Sequence, residues 1–84
     1  IMKIDIENRI KTVISSVLNI SKSEIHNKTS SDTIKSWDSL KHMNIIVGLE
    51  EEFDIEFDAD EIGNLLNYEL IRVYILEILL KKND

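Results

Sequence analysis

The chemistry that this sequence offers is concentrated in four consecutive residues, Trp37-Asp38-Ser39-Leu40. Aspartate is a favoured N-cap, so Asp38 predicts a helix whose first turn begins with Ser39. A hydroxyl at that position faces solvent, beside the unpaired N–H groups and the positive end of the helix dipole. An anionic phosphoester on Ser39 would be stabilised there. A polar helix cap preceded by an apolar residue explains the same four residues without any chemistry.

Ser39 and His42 could also be compared with a catalytic nucleophile and its base. They are three positions apart, which places them on neighbouring positions of one helix face. A hydrolase also needs a group that orients the base and donors for an oxyanion, and nothing in so short a chain supplies them. We therefore expect no enzyme, and an activity screen with Ser39→Ala as control would test this. His42 is expected to be an exposed partner contact, and His26 a surface or loop-packing histidine.

Metal binding has little support in the sequence. Acidic residues alternate as in the opening of a calcium loop: Asp54, Glu56, Asp58 and Asp60. Such a loop requires Gly at its sixth position and Glu at its twelfth, where this chain has Ala59 and Leu65. The chain has no cysteine and two histidines, so we expect no disulfide, no thiolate chemistry and no metal site.

Length and composition limit the remaining possibilities. The 84 residues, 43% hydrophobic and 31% charged, predict one globular domain over residues 1–84. No apolar run approaches the roughly 18 residues of a membrane span. The start of the chain lacks the charged and then apolar stretches of a secretory signal, so we expect a cytoplasmic protein.

The net charge of -6 arises from one stretch. Residues 50–61 contain eight acidic and no basic side chains, whereas the rest of the chain has eight acidic and ten basic side chains. This distribution disfavours nucleic acid, which binds basic surfaces. It favours partners with a basic face, because an acidic field steers their association.

Hydrophobic periodicity predicts an all-α fold, a small bundle of three longer helices and one short one. The first helix is expected over residues 3–18, and its apolar face consists of Ile6, Ile10, Val13, Ile14 and Val17. A long polar loop follows over residues 19–37, with a helical turn near 23–25. The loop residues expected to reach the core are Ile20, Ile25 and Ile34.

The second helix is expected to begin after Asp38 and to end near Phe53. Its predicted buried residues are Ile45, Ile46, Leu49 and Phe53. The short third helix is predicted over residues 59–66, and the fourth from a cap at Asn67 to about Lys82.

The last helix carries more apolar residues than one buried face needs. Its expected core face is Ile71, Tyr74, Ile75, Ile78 and Leu79, and a second stripe is Leu70, Val73, Leu76 and Leu80. Such a helix is either buried on most sides or covered by a partner. We expect the bundle to bury the stripe and the protein to be a monomer.

The wider context of Ser39 resembles the acyl carrier proteins. Asp38-Ser39-Leu40 matches the attachment motif of that family residue for residue, and Leu49-Glu50-Glu51-Glu52-Phe53-Asp54-Ile55 follows at the expected distance. The order of helices and loops agrees over nearly the whole chain. The tripeptide alone is unspecific, but its combination with the Glu-rich run is specific.

The resemblance implies that Ser39 carries 4′-phosphopantetheine, transferred from coenzyme A by a phosphopantetheinyl transferase. The arm ends in a thiol that holds an acyl group as a thioester, so the protein would be a carrier and a substrate of enzymes. Asp38 would shape the helix start, and Leu40 would contact the transferase. Carriers that enclose their cargo hold it between the second and third helices. The residues expected near that space are Leu49, Ile62 and Leu65.

The second helix is expected to recognise partner enzymes with basic docking faces. The predicted contacts are Trp37, Lys41, His42, Met43, Asn44, Val47, Glu50, Glu51 and Glu52. Trp37 also reads as a packing anchor at the loop–helix junction. Met43 and Val47 either belong to the edge of the core or form an apolar strip that partners grip.

The positions just after the serine favour a dedicated carrier of a specialised pathway, such as surface-polysaccharide or secondary-metabolite assembly. Lys41, His42 and Asn44 stand where housekeeping fatty-acid carriers are usually acidic. A housekeeping carrier remains an alternative. So does an aminoacyl or peptidyl carrier, although those usually have glycines where Lys35-Ser36-Trp37 stand. The alternative from a different class is an unmodified helical interaction module.

Overall fold

The computed structural model describes residues 3–82, which form the predicted small all-α bundle. Helix α1 spans Lys3–Leu18, α2 Ser39–Phe53, α3 Ala59–Ile62 and α4 Tyr68–Lys82, and a 3₁₀ turn, Lys22–Glu24, lies between α1 and α2. Residues 1 and 2, part of the start considered for a secretory signal, lie outside the described residues. Within residues 3–82, no helix has both the length and the apolar character needed to cross a membrane.

The core forms where α1, α2 and α4 bring their apolar faces together. The buried side chains are Ile6, Ile10, Ile14 and Leu18 from α1, Ile45, Ile46, Leu49 and Phe53 from α2, and Tyr68, Ile71, Ile75 and Leu79 from α4. Burying one such aliphatic side chain stabilises the fold by roughly 1.5–3 kcal/mol, so the shared core outweighs helix propensity. Val13 and Val17, predicted on the same face of α1, are half-buried at its edge.

Helices α1 and α2 run antiparallel and approach each other closely. Near the start of α1, Arg9 donates hydrogen bonds from Nε to the Glu52 carboxylate and from Nη2 to the Glu52 carbonyl, both at 2.7 Å. The Arg9 guanidinium also lies 4.3 Å from the centre of the Phe53 ring. In the middle of the pair, a Cβ on Gly48 would come within 2.9 Å of Cγ1 of Val13. Gly48 therefore sets the distance between the helices.

The long loop between α1 and α2 packs three isoleucine side chains against the core, as predicted. Ile25 is buried, and Ile20 and Ile34 are half-buried against the core. The buried Thr29 hydroxyl donates to the Glu24 carbonyl and accepts from the His26 N–H, both at 2.9 Å. These bonds satisfy the polar groups that the loop would otherwise bury unpaired.

The prediction for the third helix was too long, because α3 ends at Ile62 rather than at residue 66. Ser31 N–H donates to the Leu66 carbonyl at 2.9 Å, and Ser30 forms an isolated antiparallel bridge with Asn67. The backbone of residues 66 and 67 therefore pairs with the long loop and cannot continue a helix. Asn67 then caps α4, as predicted, by accepting the Leu70 N–H at 2.8 Å.

The expectation that the bundle buries the second stripe of α4 was wrong. Leu70, Val73 and Leu80 are 45, 40 and 67% exposed, and Leu76 is half-buried. The reason is geometric, because the short α3 and its turn cover too little of α4 to enclose it on a second side.

Candidate functional site

The start of α2 is built by Asp38. Its backbone is extended, and its carboxylate accepts a hydrogen bond from the Lys41 N–H at 2.8 Å, as expected of an N-cap. Its carbonyl accepts the first intrahelical bond, from the His42 N–H at 2.8 Å. The N–H groups of Ser39 and Leu40 belong to the first turn, where a helix leaves donors without an intrahelical partner.

Ser39 is the first residue of α2, and it is exposed. Leu40 follows with 69% of its surface exposed, which is unusual for a large aliphatic side chain. An exposed apolar side chain therefore follows directly after the exposed hydroxyl of Ser39. The structure thus places Asp38, Ser39 and Leu40 together at one accessible corner.

An open groove of about 500 Å³ lies beside Ser39, between the start of α2 and the end of α3. Its lining residues are Ser31, Trp37, Asp38, Ser39, His42, Met43, Ile62, Gly63 and Leu66. Of the three residues expected near a cargo space, only Ile62 lines this groove, because Leu49 and Leu65 are buried in the core. A groove of about 590 Å³ on the α1 side of the loop does not include Ser39.

His42 is not the exposed contact that the sequence predicted. Only 6% of it is accessible, and Trp37 beside it is 3% exposed. The Trp37 indole Nε1–H donates to His42 Nδ1 at 3.1 Å, and His42 Nε2 lies 2.8 Å from the carbonyl oxygen of Ile62. Burial and these bonds withdraw both side chains from the surface. Trp37 is the packing anchor that the sequence predicted.

The other predicted contacts on the upper part of α2 do reach the surface. Met43 and Val47 are 45 and 47% exposed, so they form a semi-exposed apolar strip rather than the edge of the core. Asn44 is exposed and Lys41 is half-buried. With Leu40, these residues form the accessible face of α2 next to Ser39.

The three glutamates at the end of α2 do not share one environment. Glu51 is exposed. Glu52 is held by Arg9, and Glu50 is half-buried with its carboxylate accepting the Phe57 N–H at 2.9 Å. Glu50 therefore fixes the connection to α3, while Glu51 and, beyond the end of α2, Asp58, Asp60 and Glu61 are exposed acidic residues.

Sequence reasoning missed the wall of the groove opposite α2, which Gly63 and Leu66 help to form. It also missed the pairing of Trp37 with His42, although the signal was present. Trp37 precedes the N-cap and His42 is the fourth helical residue, and side chains at these two positions commonly pack together. Within residues 3–82, no cluster of three or more His, Asp or Glu side chains could hold a metal ion.

Comparison with known proteins agrees with this geometry. Over 63 residues, 75% of this chain and 78% of the relative, the sequence is 43% identical to the acyl carrier protein of Buchnera aphidicola subsp. Schizaphis graminum (strain Sg). Acyl carrier proteins of Buchnera aphidicola subsp. Acyrthosiphon pisum, strains Tuc7 and 5A, are each 42% identical over 57 residues, 68% of this chain and 71% of the relatives. No protein-family model matches the chain.

A helical bundle that displays one capped serine, together with this identity over most of both chains, defines a carrier protein rather than a catalyst. The chain belongs to the acyl carrier protein family. The family predicted from Asp38-Ser39-Leu40 and the Glu-rich run is confirmed, and so is the fold class predicted from hydrophobic periodicity.

Proposed function

We propose that Ser39 is the attachment site of 4′-phosphopantetheine and that the protein carries acyl groups as thioesters on that arm. The observation that carries the proposal is the exposed Ser39 hydroxyl at the first position of α2, directly after the Asp38 cap. In a member of the acyl carrier protein family, an Asp-Ser-Leu motif in this position is the expected modification site.

The residues around Ser39 fit a phosphodiester. The first-turn N–H groups of Ser39 and Leu40 and the positive end of the α2 dipole favour an anion there. The groove beside Ser39 gives the arm an apolar wall that includes Met43.

The carrier itself supplies few of the groups that this reaction needs. The Ser39 oxygen attacks the β-phosphorus of coenzyme A, a phosphodiester forms, and adenosine 3′,5′-bisphosphate leaves, while the serine proton passes to a base of the transferase. The attached arm supplies a thiol that forms a thioester with an acyl group. This chain's own contributions are an exposed hydroxyl, a helix start that stabilises the phosphodiester, and the α2 face that partner enzymes contact.

Incubation with coenzyme A, magnesium and a broad-specificity phosphopantetheinyl transferase tests the proposal, with the intact mass as readout. We expect a gain of one phosphopantetheine group, absent in Ser39→Ala. Ser36→Ala is the matched control, because Ser36 lies three residues earlier and its half-buried hydroxyl donates to the Leu18 carbonyl at 3.1 Å. Failure of several transferases to modify the folded protein would favour the unmodified interaction module.

We further propose that the carrier serves a dedicated set of partners rather than bulk fatty-acid synthesis. Lys41 and Asn44 support this, because they leave the accessible face next to Ser39 without the acidic side chains usual in housekeeping carriers. His42 no longer contributes to this argument, since it is buried. Partners with basic faces would then dock mainly toward Glu51 and residues 58–61.

A rate comparison tests the dedicated role. The modified protein is offered to housekeeping fatty-acid loading and elongation enzymes beside their own carrier. We expect these enzymes to process it much more slowly than their own carrier. The double variant Lys41→Glu/Asn44→Glu should be processed at a rate closer to that of their own carrier. Equal rates for the two unmutated carriers would instead make this a housekeeping carrier.

A further inference from the structure

His42 is the buried member of the two histidines in the chain, and both of its ring nitrogens are engaged. Nδ1 lies 3.1 Å from Trp37 Nε1, and Nε2 lies 2.8 Å from the Ile62 carbonyl oxygen. His26 differs, because it is exposed in the loop and its Nδ1 accepts the Lys28 N–H at 3.2 Å. His42 is therefore fixed inside the fold by bonds at both ring nitrogens, unlike His26.

The two partners of His42 fix its tautomer. An indole nitrogen can only donate, so Nδ1 of His42 must be the acceptor and carries no proton. A carbonyl oxygen can only accept, so Nε2 must carry the proton. The hydrogen bonds to Trp37 and Ile62 thus require a neutral ring in a single tautomer.

The resulting chain, which we call the Trp37–His42–Ile62 strut, joins three parts of the fold. Trp37 ends the long loop, His42 lies on the second turn of α2, and Ile62 is the last residue of α3. All three line the groove beside Ser39. Behind them Leu49 and Leu65 are packed in the core with 0 and 4% exposure. The strut therefore stands between the groove and the interior of the bundle.

We propose that His42 is a positioning residue that holds α3 against α2 and closes the core to the cargo. The carrier then favours acyl groups short or polar enough to remain in the surface groove. This inference deepens the proposed function and rests on it. Separating α3 from α2 would break the bond between His42 Nε2 and the Ile62 carbonyl and leave the buried imidazole N–H without its partner, which opposes entry of a long chain.

The first test measures how well the protein protects its cargo. The phosphopantetheinylated protein is loaded with butyryl or dodecanoyl groups, and the rate of thioester cleavage by hydroxylamine is followed at pH 7.5. For the natural sequence we expect rates that differ less than about twofold. Each methylene that enters the core shifts the equilibrium between the enclosed and the exposed acyl chain about fourfold towards the enclosed one. His42→Ala should therefore slow dodecanoyl cleavage about tenfold or more relative to butyryl cleavage.

His42→Gln is the conservative variant, because its amide can both accept from Trp37 and donate to Ile62. In this variant, as in the natural sequence, the butyryl and dodecanoyl thioesters should be cleaved at rates that differ less than about twofold. Strong protection of dodecanoyl by the natural protein, or no change in His42→Ala, would overturn the proposal.

The second test needs no attached arm and so separates this inference from the proposed function. Trp37 is the single tryptophan, so its fluorescence reports on the strut directly. We expect the emission maximum of Trp37 to move to longer wavelength in His42→Ala, because the indole loses the ring that covers and accepts from it. It should stay in place in His42→Gln and in His26→Gln. An unchanged emission maximum in His42→Ala, or an equal shift in His42→Gln, would refute the strut. Absence of any attachment to Ser39 would refute the proposed function alone.

Discussion

The carboxylate of Asp38 accepts a hydrogen bond from the backbone N–H of Lys41 at 2.8 Å, and the first turn of α2 that it closes displays Ser39 to solvent. The cap thus links a local sequence preference to the accessibility of the hydroxyl. Without it the first turn would fray, and Ser39 would lose its fixed position beside the first-turn N–H groups.

Removing the cap should therefore affect both stability and modification. Asp38→Ala should lower the free energy of unfolding by about 1 kcal/mol, and Asp38→Asn by much less, because asparagine is also a good N-cap. Urea unfolding measures the first effect. The transferase rate should fall in Asp38→Ala beyond what its folded fraction explains. An alanine variant of unchanged stability would show that the bond does not stabilise α2.

Replacing Gly48 or Gly63 by alanine should change the free energy of unfolding in opposite directions. At Gly48 a Cβ would lie 2.9 Å from Val13 Cγ1, while at Gly63 nothing lies within 4 Å. Overpacking costs about 1–3 kcal/mol and alanine restores about 1 kcal/mol of helix propensity, so Gly48→Ala should destabilise by about 1 kcal/mol. Gly63→Ala, at a right-handed helical φ and ψ, should stabilise by about 0.5 kcal/mol.

Thermal or urea unfolding of the two glycine variants measures this difference. Val13→Ala combined with Gly48→Ala should lose less stability than the two single changes added together. Strict additivity would show that the cost of Gly48→Ala does not come from contact with Val13 and that Gly48 does not set the helix spacing there.

The buried hydroxyl of Tyr68 should make the fold less stable in alkaline solution. Its buried hydroxyl has no hydrogen-bond partner among residues 3–82, and burial, together with the nearby Glu7 carboxylate, raises its pKa above the usual value of about 10. Below pH 10 the phenol is neutral in both the folded and the unfolded state. As the pH rises from there, the unfolded state loses this proton first, so the stability falls as the pH approaches and passes the folded-state pKa.

Tyr68→Phe should remove that alkaline dependence. At pH 7 it should also raise the free energy of unfolding by about 1 kcal/mol, because an unpaired buried hydroxyl is lost. Tyr74→Phe is the control, since the Tyr74 hydroxyl accepts the Asp58 N–H at 3.0 Å, and it should lose about 1 kcal/mol. Equal destabilisation by both changes would mean that Tyr68 has a partner.

The strip formed by Met43 and Val47 should be a docking surface for partner enzymes. Both side chains are nearly half exposed on the face next to Ser39, and a charge there would have to be desolvated on binding. Met43→Glu or Val47→Glu should lower kcat/KM for the transferase about tenfold with no loss of fold by circular dichroism. Val73→Glu is the matched control, since Val73 is 40% exposed on α4. An equal effect at Val73 would place the contact elsewhere or on both helices.

Local signals predicted the helices well and failed where distant segments meet. The Asp38 and Asn67 caps and the apolar period of α1 are local, so the starts of α2 and α4 and the burial of Ile6, Ile10 and Ile14 agreed with the structure. The end of α3 depends on the hydrogen bond from the Ser31 N–H to the Leu66 carbonyl. The burial of His42 depends on its hydrogen bond with the Ile62 carbonyl. Those contacts join residues 20 or more positions apart, which periodicity cannot detect.

Localisation of the attached group tests the central claim most directly. Trypsin cleavage after Lys35 and Lys41 releases the peptide Ser36-Trp37-Asp38-Ser39-Leu40-Lys41, which contains both nearby serines. After treatment with coenzyme A and transferase, fragment ions of this peptide should place the phosphopantetheine mass on Ser39 and leave Ser36 unmodified. The mass on Ser36, on a serine outside this peptide, or on no residue of the folded protein would contradict the account.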